Sequence, residues 1–573
     1  MVSTRRWMLV PRRPEPEAAL RATLDVSPLL ARLLTNRDII TPEAAHAFLN
    51  AKLAEHLRSP MLFRDMGRAS ARVLAAVQRG ERIGIYGDYD VDGISGSAIL
   101  LTFLRALGHE PLLHIPHRLR DGYGITEPGV RKLAEQGARV MITVDCGGVA
   151  HRELALAREL GMDSIVCDHH QVSGTPLPAH AVLNPIEPNA GFPFAGLCGA
   201  GVAFYLALGV RMQLREAGVE ALPDLRRYLD LVTLGTIADI VPLVEENRVL
   251  VKHGLRELTQ SARPGLMALK TVSGVSDVST GAVGFRLAPR LNAGGRLADA
   301  TRSVELLTTT DCARAECLAQ ELDQENRARQ TIELEILNDA IAQLAATRDF
   351  AERRSIVLAS EDWHPGVIGI VASRLVERYY RPTILIAVDL DTGIGRGSGR
   401  SIRGFNLHEA MAACRDALEG FGGHRMAAGL SIRMERVDEF AAAFEDAVRA
   451  RAHDAQFVPQ TDVDAELSFR DIDQQLLADL DTLEPFGMGN PEPIFCTRGA
   501  TVASRRIVGE NHLRLYLKHD GRGIGAIGFG MADREIAEGD AIDLLYSPQL
   551  DEWNGETRLQ LRLRDLRPAK RDE

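Results

Sequence analysis

Asp88-Tyr89-Asp90-Val91-Asp92-Gly93 sets three carboxylates at alternate positions, and three more clusters follow: Asp145-Cys146-Gly147-Gly148, Asp168-His169-His170, and Asp239 at the end of Gly235-Thr236-Ile237-Ala238. Together they offer enough oxygen and imidazole ligands for two divalent cations. Carboxylates gathered in one place repel one another strongly unless a positive charge sits among them, and a metal is the simplest such charge. Each cluster also has a plainer reading. Asp-x-Asp-x-Asp-Gly opens calcium loops and ordinary turns, but the calcium-hand reading fails because its twelfth position is Ile99 rather than a glutamate. Adjacent histidines are more often surface polar residues than ligands, although Asp168 can orient one imidazole. Asp145 fits a strand-to-helix turn and Asp239 a helix end. All four in order within one lobe are much less expected by chance.

The elements that must position these clusters are legible as alternation. Arg82–Tyr86, Val140–Val144 and Ser164–Cys167 are short continuous apolar runs of the kind that become buried parallel strands. Helical patterns at Gly93–Leu107, Thr126–Gln136 and Arg152–Leu160, with a strand-like Pro111–Ile115, complete a βαβ series over residues 68–255. In such a sheet, side chains at the carboxyl ends of the strands converge on one crevice. Residues 312–346 read as one long helix bridging two lobes, and a second α/β region runs from Ser355 to about 453, with strands near Pro382–Val388 and Gly429–Arg433. Pro485-Phe486-Gly487-Met488-Gly489-Asn490-Pro491 then closes an acidic stretch. Beyond it Leu513–Lys518, Ile524–Phe529, Ala541–Ser547 and Arg558–Leu563 suggest a small antiparallel barrel able to close its own core.

The expected division is a helical preface over 1–67, a catalytic lobe over 68–255, a connecting region over 256–350, a second α/β lobe over 351–455, and an acidic linker with the barrel over 456–573. On this reading the lobes fold without the tail. Seven scattered cysteines with no Cys-x-x-Cys pair fit a reducing compartment, and no apolar run is long enough to span a membrane. With no secretory signal at the start, the cytoplasm is the expected location. The net charge of −11 argues against nucleic acid, but residues 461–490 alone hold eight acidic residues against one basic, which weakens that argument.

Tyr-Gly-Asp-Tyr-Asp-Val-Asp-Gly (86–93), Thr-Val-Asp-Cys-Gly (143–147), Asp-His-His (168–170) and Gly-Thr-Ile-Ala-Asp-Ile-Val-Pro-Leu (235–243) resemble the metal motifs of the DHH phosphoesterase superfamily, most closely its RecJ family. Arg290-Leu291-Asn292-Ala293-Gly294-Gly295-Arg296 resembles that family's signature between the lobes, and Gly422-Gly423-His424 the hallmark of the DHH-associated domain. The resemblance implies a fold of α/β class: a parallel-sheet DHH lobe, a long helix, a DHH-associated lobe and a C-terminal OB-like barrel. It implies hydrolysis of single-stranded DNA from the 5′ end by two divalent metals, with Mn2+ preferred and Mg2+ usable. By analogy Asp90, Asp92, Asp145, His169 and Asp239 are ligands, Asp145 bridges, and Asp88 and His170 are ligands or catalytic contacts to substrate. Tyr86 departs from the pattern, standing where many relatives have a histidine ligand, which leaves Asp88 or water to replace it.

The same resemblance makes Arg118, Ser398 and Arg400 the holders of the 5′ end, with Arg290, Asn292, Arg296 and His424 as further substrate residues. Glycines let backbone N–H groups approach an anion and arginine forks grip phosphate. Without the resemblance, Gly395–Ser401 reads as a flexible hairpin, and His364-Pro365-Gly366 is as much a plain helix start as a phosphate site. In the barrel Arg505, Arg506, Arg514, Tyr516, Lys518, Tyr546 and Trp553 are candidate strand contacts, although aromatics in small barrels are more often core. The implied partners are single-stranded DNA, a single-strand-binding protein and a RecQ-type helicase, for a monomer without membrane contact. A phosphodiesterase of short oligoribonucleotides or cyclic dinucleotides and a non-catalytic replication scaffold are the rivals. The OB-like tail disfavours the first and the full ligand set the second.

Overall fold

Pro14, Pro28 and Pro42 each open a helix, where the missing N–H costs nothing and φ is already helical: Pro14–Leu24, Pro28–Thr35 and Pro42–Asn50. The structure, a computed structural model, describes residues 5–118, 120–297, 299–553 and 556–569. A short strand β1 (Arg6–Leu9) precedes these helices. Their Leu20, Leu30, Leu33, Leu34 and Phe48 are buried in one core with Phe495, Leu513, Leu515, Leu517 and Leu544 from the far end of the chain. The preface is therefore half of a C-terminal unit and not a separate leader to the catalytic lobe.

The catalytic lobe is built on β2 (Arg82–Gly87), β3 (Leu112–His114), β4 (Ala138–Val144), β5 (Asp163–Cys167) and β6 (Ala181–Leu183). They form one parallel sheet in the order β3-β2-β4-β5-β6. The strands are continuously apolar because both faces are covered. Helices Met66–Arg79, Val91–Ala106, Gly199–Glu216 and Leu229–Ala238 pack on one face, and Glu127–Glu135 and His151–Glu159 on the other. The long helix Cys312–Ala346 buries Leu318 and Leu322 in this lobe and Ile336, Ala340 and Leu344 in the next, so it is the expected bridge.

The second lobe holds β7 (Ile356–Ser360), β8 (Thr383–Asp389), β9 (Ile394–Arg400), β10 (Gly420–Gly423) and β11 (Ala427–Arg433), in the order β10-β11-β9-β8-β7. Gly395–Arg400, which reads alone as a flexible hairpin, is the central strand. Its alternate glycines make this possible. A Cβ on Gly395 or Gly397 would lie 2.6 Å from Ile386 or Leu430, and one on Gly399 2.9 Å from Leu407, so one face is bare and the neighbouring side chains fill it. Arg396, Ser398 and Arg400 project from the opposite face.

The C-terminal unit contains β12 (Gln460–Val463), which pairs with β1, then β13 (Ala465–Glu466), helix Gln474–Leu483, β14 (Phe495–Val508), β15 (His512–His519), β16 (Arg522–Gly528), β17 (Ala541–Trp553) and β18 (Glu556–Pro568). Pairing of β14 with β17 closes the barrel. Two expectations need correction. β16 and β18 run parallel, so the barrel is not wholly antiparallel. The acidic stretch is no linker, because Phe469, Ile472, Leu476 and Leu483 are buried in the shared core.

Candidate metal centre

Asp88 and Asp90 lie just past the end of β2. Asp90 caps helix Val91–Ala106, its Oδ1 accepting from the N–H groups of Asp92 at 3.0 Å and Gly93 at 3.1 Å. Asp92 is buried in the first turn, and its oxygens accept from Gly199 at 2.5 Å and Ala200 at 2.9 Å, the start of helix Gly199–Glu216. A helix N-terminus thus holds that carboxylate. Asp145 follows β4 at φ +65°, and a Cβ on Gly199 would come within 2.6 Å of its own Cβ, so the approach requires glycine. Asp168, at the end of β5, is buried and accepts from the backbone of Gly148, His169 and His170 at 2.6, 2.8 and 3.1 Å. Its Oδ1 also lies 2.8 Å from His170 Nδ1. Asp239 arrives from the C-terminal end of helix Leu229–Ala238.

Three overlapping sets of ligand atoms result: Asp92, His169 and Asp239; Asp145, His169 and His170; and Asp88, Asp90 and Asp145. Within each, the atoms lie within 4.8 Å of one another. His169 Nε2 is 3.1 Å from Asp145 Oδ1, 3.5 Å from Asp239 Oδ2 and 3.7 Å from Asp92 Oδ2. Burial, then the neighbouring carboxylates, push Asp88 and Asp145 well above the usual carboxylate range and Asp239 up to about 9. Burial lowers the His169 imidazole against the pull of the neighbouring carboxylates, which favours the neutral form that a ligand takes. Burial opposes charge on His170 too, but Asp168 overrides it and raises the imidazole to about 9. Asp88 Oδ1 is buried with no hydrogen-bond partner. Orphaned, mutually repelling oxygens beside a neutral imidazole fit divalent cations, and imidazole among carboxylates suits transition metals.

Tyr86 lies outside this set. It is buried in the core on the opposite face of the sheet, where its hydroxyl accepts from Thr126 N–H at 3.0 Å. Tyr123, which carries no sequence signal, does belong: its hydroxyl donates to the Asp145 carbonyl at 3.3 Å and lies 3.0 Å from His170 Nδ1.

Beside the cluster stands a group of arginines, with Arg118 acting on Asp88 and Arg296 feeling Asp90. Arg118 lies over the Tyr89 ring at 5.0 Å. Arg400 Nη1 donates to Ser398 Oγ at 3.1 Å, and Arg296 Nη1 to the Gly366 carbonyl at 3.0 Å. Burial, and then repulsion from Arg118, Arg329 and Arg400, lowers Arg296 to about 10, and burial with Arg118 lowers Arg400. Arg329 is paired with Glu333, while Arg118, Arg296 and Arg400, held this close, are poised for an anion. Gly369 sits against Ser398 and Arg400, where a Cβ would meet Oγ at 2.7 Å, so the helix Ile368–Tyr379 begins at the same place. Arg329 was not legible in the sequence.

Other expected substrate residues are placed differently. Arg290 is committed to Asp323 Oδ1 at 2.8 Å and the Arg286 carbonyl at 2.6 Å, tying helix Ala288–Leu297 to the long helix. Asn292 accepts from Val91 N–H at 3.1 Å and so braces the Asp90 turn. His424 is exposed in the turn between β10 and β11. On the barrel, β15 turns Leu513, Leu515 and Leu517 inward and Arg514, Tyr516 and Lys518 outward. Arg506, Arg514, Tyr516, Arg522 and Arg558 border a groove of about 470 Å³. Arg505 is half-buried and donates to the Ala532 carbonyl. Tyr546 is core, its hydroxyl 2.8 Å from Thr497 Oγ1, and the Trp553 side chain and Leu119 lie outside the described residues.

Residues 82–236 match the DHH family, N-terminal domain, residues 353–450 the DHHA1 domain, and residues 463–565 the RecJ OB domain. The single-stranded-DNA-specific exonuclease RecJ of Bacillus subtilis is 37% identical over 99% of this chain and 71% of its own length. The chain belongs to the RecJ family. The crystal structure of RecJ in complex with Mn2+ from Thermus thermophilus matches with a TM-score of 0.84 at 32% identity, covering 99% of this chain and 80% of that one. The Mg2+ complex from the same source matches at 0.78 and 30%, covering 99% and 79%. The RecJ OB match begins at Val463, whereas the core of that unit also takes in the N-terminal helices, which none of the three matched ranges includes.

Proposed function

We propose that this chain is a divalent-metal-dependent exonuclease that hydrolyses single-stranded DNA from its 5′ end, releasing mononucleotides, in DNA repair and recombination. The observation that carries the reading is Asp145, shared by two of the ligand sets, in a cluster whose Asp88 and Asp90 lie within electrostatic reach of Arg118 and Arg296. Asp88, Asp90, Asp92, Asp145, His169 and Asp239 would hold two cations, and the imidazole favours Mn2+ over Mg2+. Bound there, such ions lower the pKa of a water and neutralise charge on the phosphate oxygens.

The chain's own groups supply the rest. Arg400 and Arg118 grip the terminal phosphate and fix polarity, Ser398 orients the Arg400 fork, and the start of helix Ile368–Tyr379 adds backbone N–H groups. His170, protonated through Asp168, offers its remaining ring N–H to the leaving oxygen. The outward stripe Arg514, Tyr516 and Lys518 suits a polymer more than a dinucleotide. We place the protein in the cytoplasm as a monomer, receiving its strand from a single-strand-binding protein or a RecQ-type helicase. No helix among the described residues is long and apolar enough to cross a membrane.

Asp145→Ala tests the site. Cleavage of a 5′-phosphorylated single strand with Mn2+ should vanish while the circular-dichroism spectrum stays unchanged. Retention of more than about a tenth of the wild-type rate would remove Asp145 from the centre of the reading.

A further inference from the structure

Pro485-Phe486-Gly487-Met488-Gly489-Asn490-Pro491 reads in the sequence as punctuation before the barrel, and the chemistry above makes no use of it. In the fold it is a tight turn pressed against the segment that follows Asp239. Gly487 and Asn490 exchange backbone bonds in both directions, at 2.9 and 3.2 Å, around Met488 and Gly489. Gly489 stands at φ +74°, a conformation that favours glycine. The Asn490 side chain is fully buried. It donates to the carbonyls of Leu483 at 2.7 Å and Pro485 at 2.9 Å, and accepts from Arg37 Nε at 2.8 Å. The turn is thereby fixed to the C-terminal unit.

From that anchor the Met488 carbonyl accepts the N–H of Leu243 at 2.7 Å. Leu243 is buried and lies four residues beyond Asp239. Both glycines are needed for the contact. A Cβ on Gly487 would come within 2.7 Å of Leu243 Cδ1, and one on Gly489 within 3.1 Å of Pro242 Cβ. The segment between Asp239 and helix Glu245–Gln260 bends through positive φ at Ile240 and Glu245, and its backbone is otherwise held locally, by Ile240 N–H donating to the Ile237 carbonyl at 3.3 Å, the Asn247 amide donating to the Pro242 carbonyl at 3.0 Å and Arg248 N–H donating to the Val244 carbonyl at 3.2 Å.

Asp239 has particular need of a brace. Its side chain is 23% exposed, against 3% for Asp145 and 1% for Asp92, so packing restrains it less than either. The carboxylates of Asp92 and Asp90 lie close enough to oppose its charged form. A loop free to relax would let it leave. We propose that the Gly487–Asn490 turn is a positioning clasp: by holding Leu243 it keeps Asp239 within reach of His169 and Asp92, and so makes affinity for the cation at that set depend on the C-terminal unit. The inference rests on the metal-dependent reading above. It gives the seven-residue motif a role in metal binding, at a distance from any DNA the barrel touches.

The test is calorimetric titration of Mn2+ into the metal-free, full-length chain, alongside its melting curve and kcat and KM on a single-stranded oligonucleotide. Gly487→Ala should weaken one of two Mn2+ binding events about ten-fold, the size of effect typical for groups that orient a ligand. It should lower kcat at limiting Mn2+, leave KM for DNA unchanged, and recover at saturating Mn2+. Leu243→Ala in the same chain removes the clash and should restore part of the lost affinity. Gly489→Val should act like Gly487→Ala and more strongly, and if it fails to fold, Gly487→Ala decides. Wild-type Mn2+ affinity in a folded Gly487→Ala protein overturns the clasp while leaving the metal reading intact. Equal weakening of both binding events with a lowered melting temperature also overturns it, as general damage. A wild-type chain that binds no Mn2+ overturns clasp and metal reading together.

Discussion

Asp145 shows what one residue must satisfy here: positive φ, full burial, contact with a glycine and a place in two ligand sets. Its type and its position after an apolar run are written in the local sequence, and so are those of Asp88, Asp90, Asp92, His169, His170 and Asp239. Tyr123 and Arg329 are not, because nothing in their neighbourhood distinguishes them from surface residues until the cleft forms. Arg290 and Asn292 lie in a recognisable motif but brace the scaffold, one on Asp323 and the other on Val91. Arg118 and Arg400 carry a residue-scale prediction. Each is a cation crowded by others, so a terminal phosphate dianion gains more from them than a hydroxyl does. Arg400→Ala or Arg118→Ala should cut the preference for 5′-phosphorylated over 5′-hydroxyl ends, with a smaller fall in cleavage than at a metal ligand. Competition between the two kinds of end in one digest measures it, and equal loss on both would show that these arginines do not read the terminus.

Among the elements, β9 is the one that local pattern misjudges. Gly395, Gly397 and Gly399 have the lowest intrinsic preference for a strand interior, yet their bareness lets Ile386, Leu430 and Leu407 close over one face. The strand then presents Ser398 and Arg400 from a rigid sheet, which a hairpin would not do. Gly397→Val should therefore push against Leu430, tilt β9 and misplace Arg400. The expected outcome is a fall of about ten-fold or more in cleavage, since small misplacement of a positioning group is costly, with Mn2+ affinity retained. Loss of Mn2+ binding in that variant would mean that the two lobes do not act separately. By contrast β15 was legible throughout, because its Leu513-Arg514-Leu515-Tyr516-Leu517-Lys518 alternation is the period of a strand with one wet face.

At the scale of the whole molecule the chain's two ends form one unit. Leu30, Leu33, Leu34 and Phe48 share the barrel's core. Arg248 is fully buried against the Phe48 ring, donating to the carbonyls of Phe48, Thr482 and Leu483 at 2.7, 3.0 and 2.8 Å. Truncation after residue 455 therefore bares the preface helices and removes two of the three acceptors of a buried cation. Such a protein should aggregate or melt early, unlike the independent lobes that the linear pattern suggests. Deleting residues 1–59 together with 456–573 removes both halves of the shared core and should leave a better-behaved catalytic fragment. Melting temperature and soluble yield of the two truncations check this, and a stable fragment 1–455 would contradict it.

The sequence by itself determined the chemistry and its order: which residues can hold metal, that three of the clusters end apolar strands, that a long helix joins two lobes, and that alternating strands follow. These are short-range properties, set by side-chain type and by periods of two or about 3.6 residues. Tertiary structure alone decided that β9 is a central strand, that Arg296, Arg329 and Arg400 meet, that the preface packs into the barrel, and that Met488 holds Leu243. Each of those depends on contacts between residues far apart in the chain, as when Asp92 meets Gly199 across 107 positions. Local periodicity carries no record of such partners, because what selects them is the shape and polarity left uncovered once every element has formed.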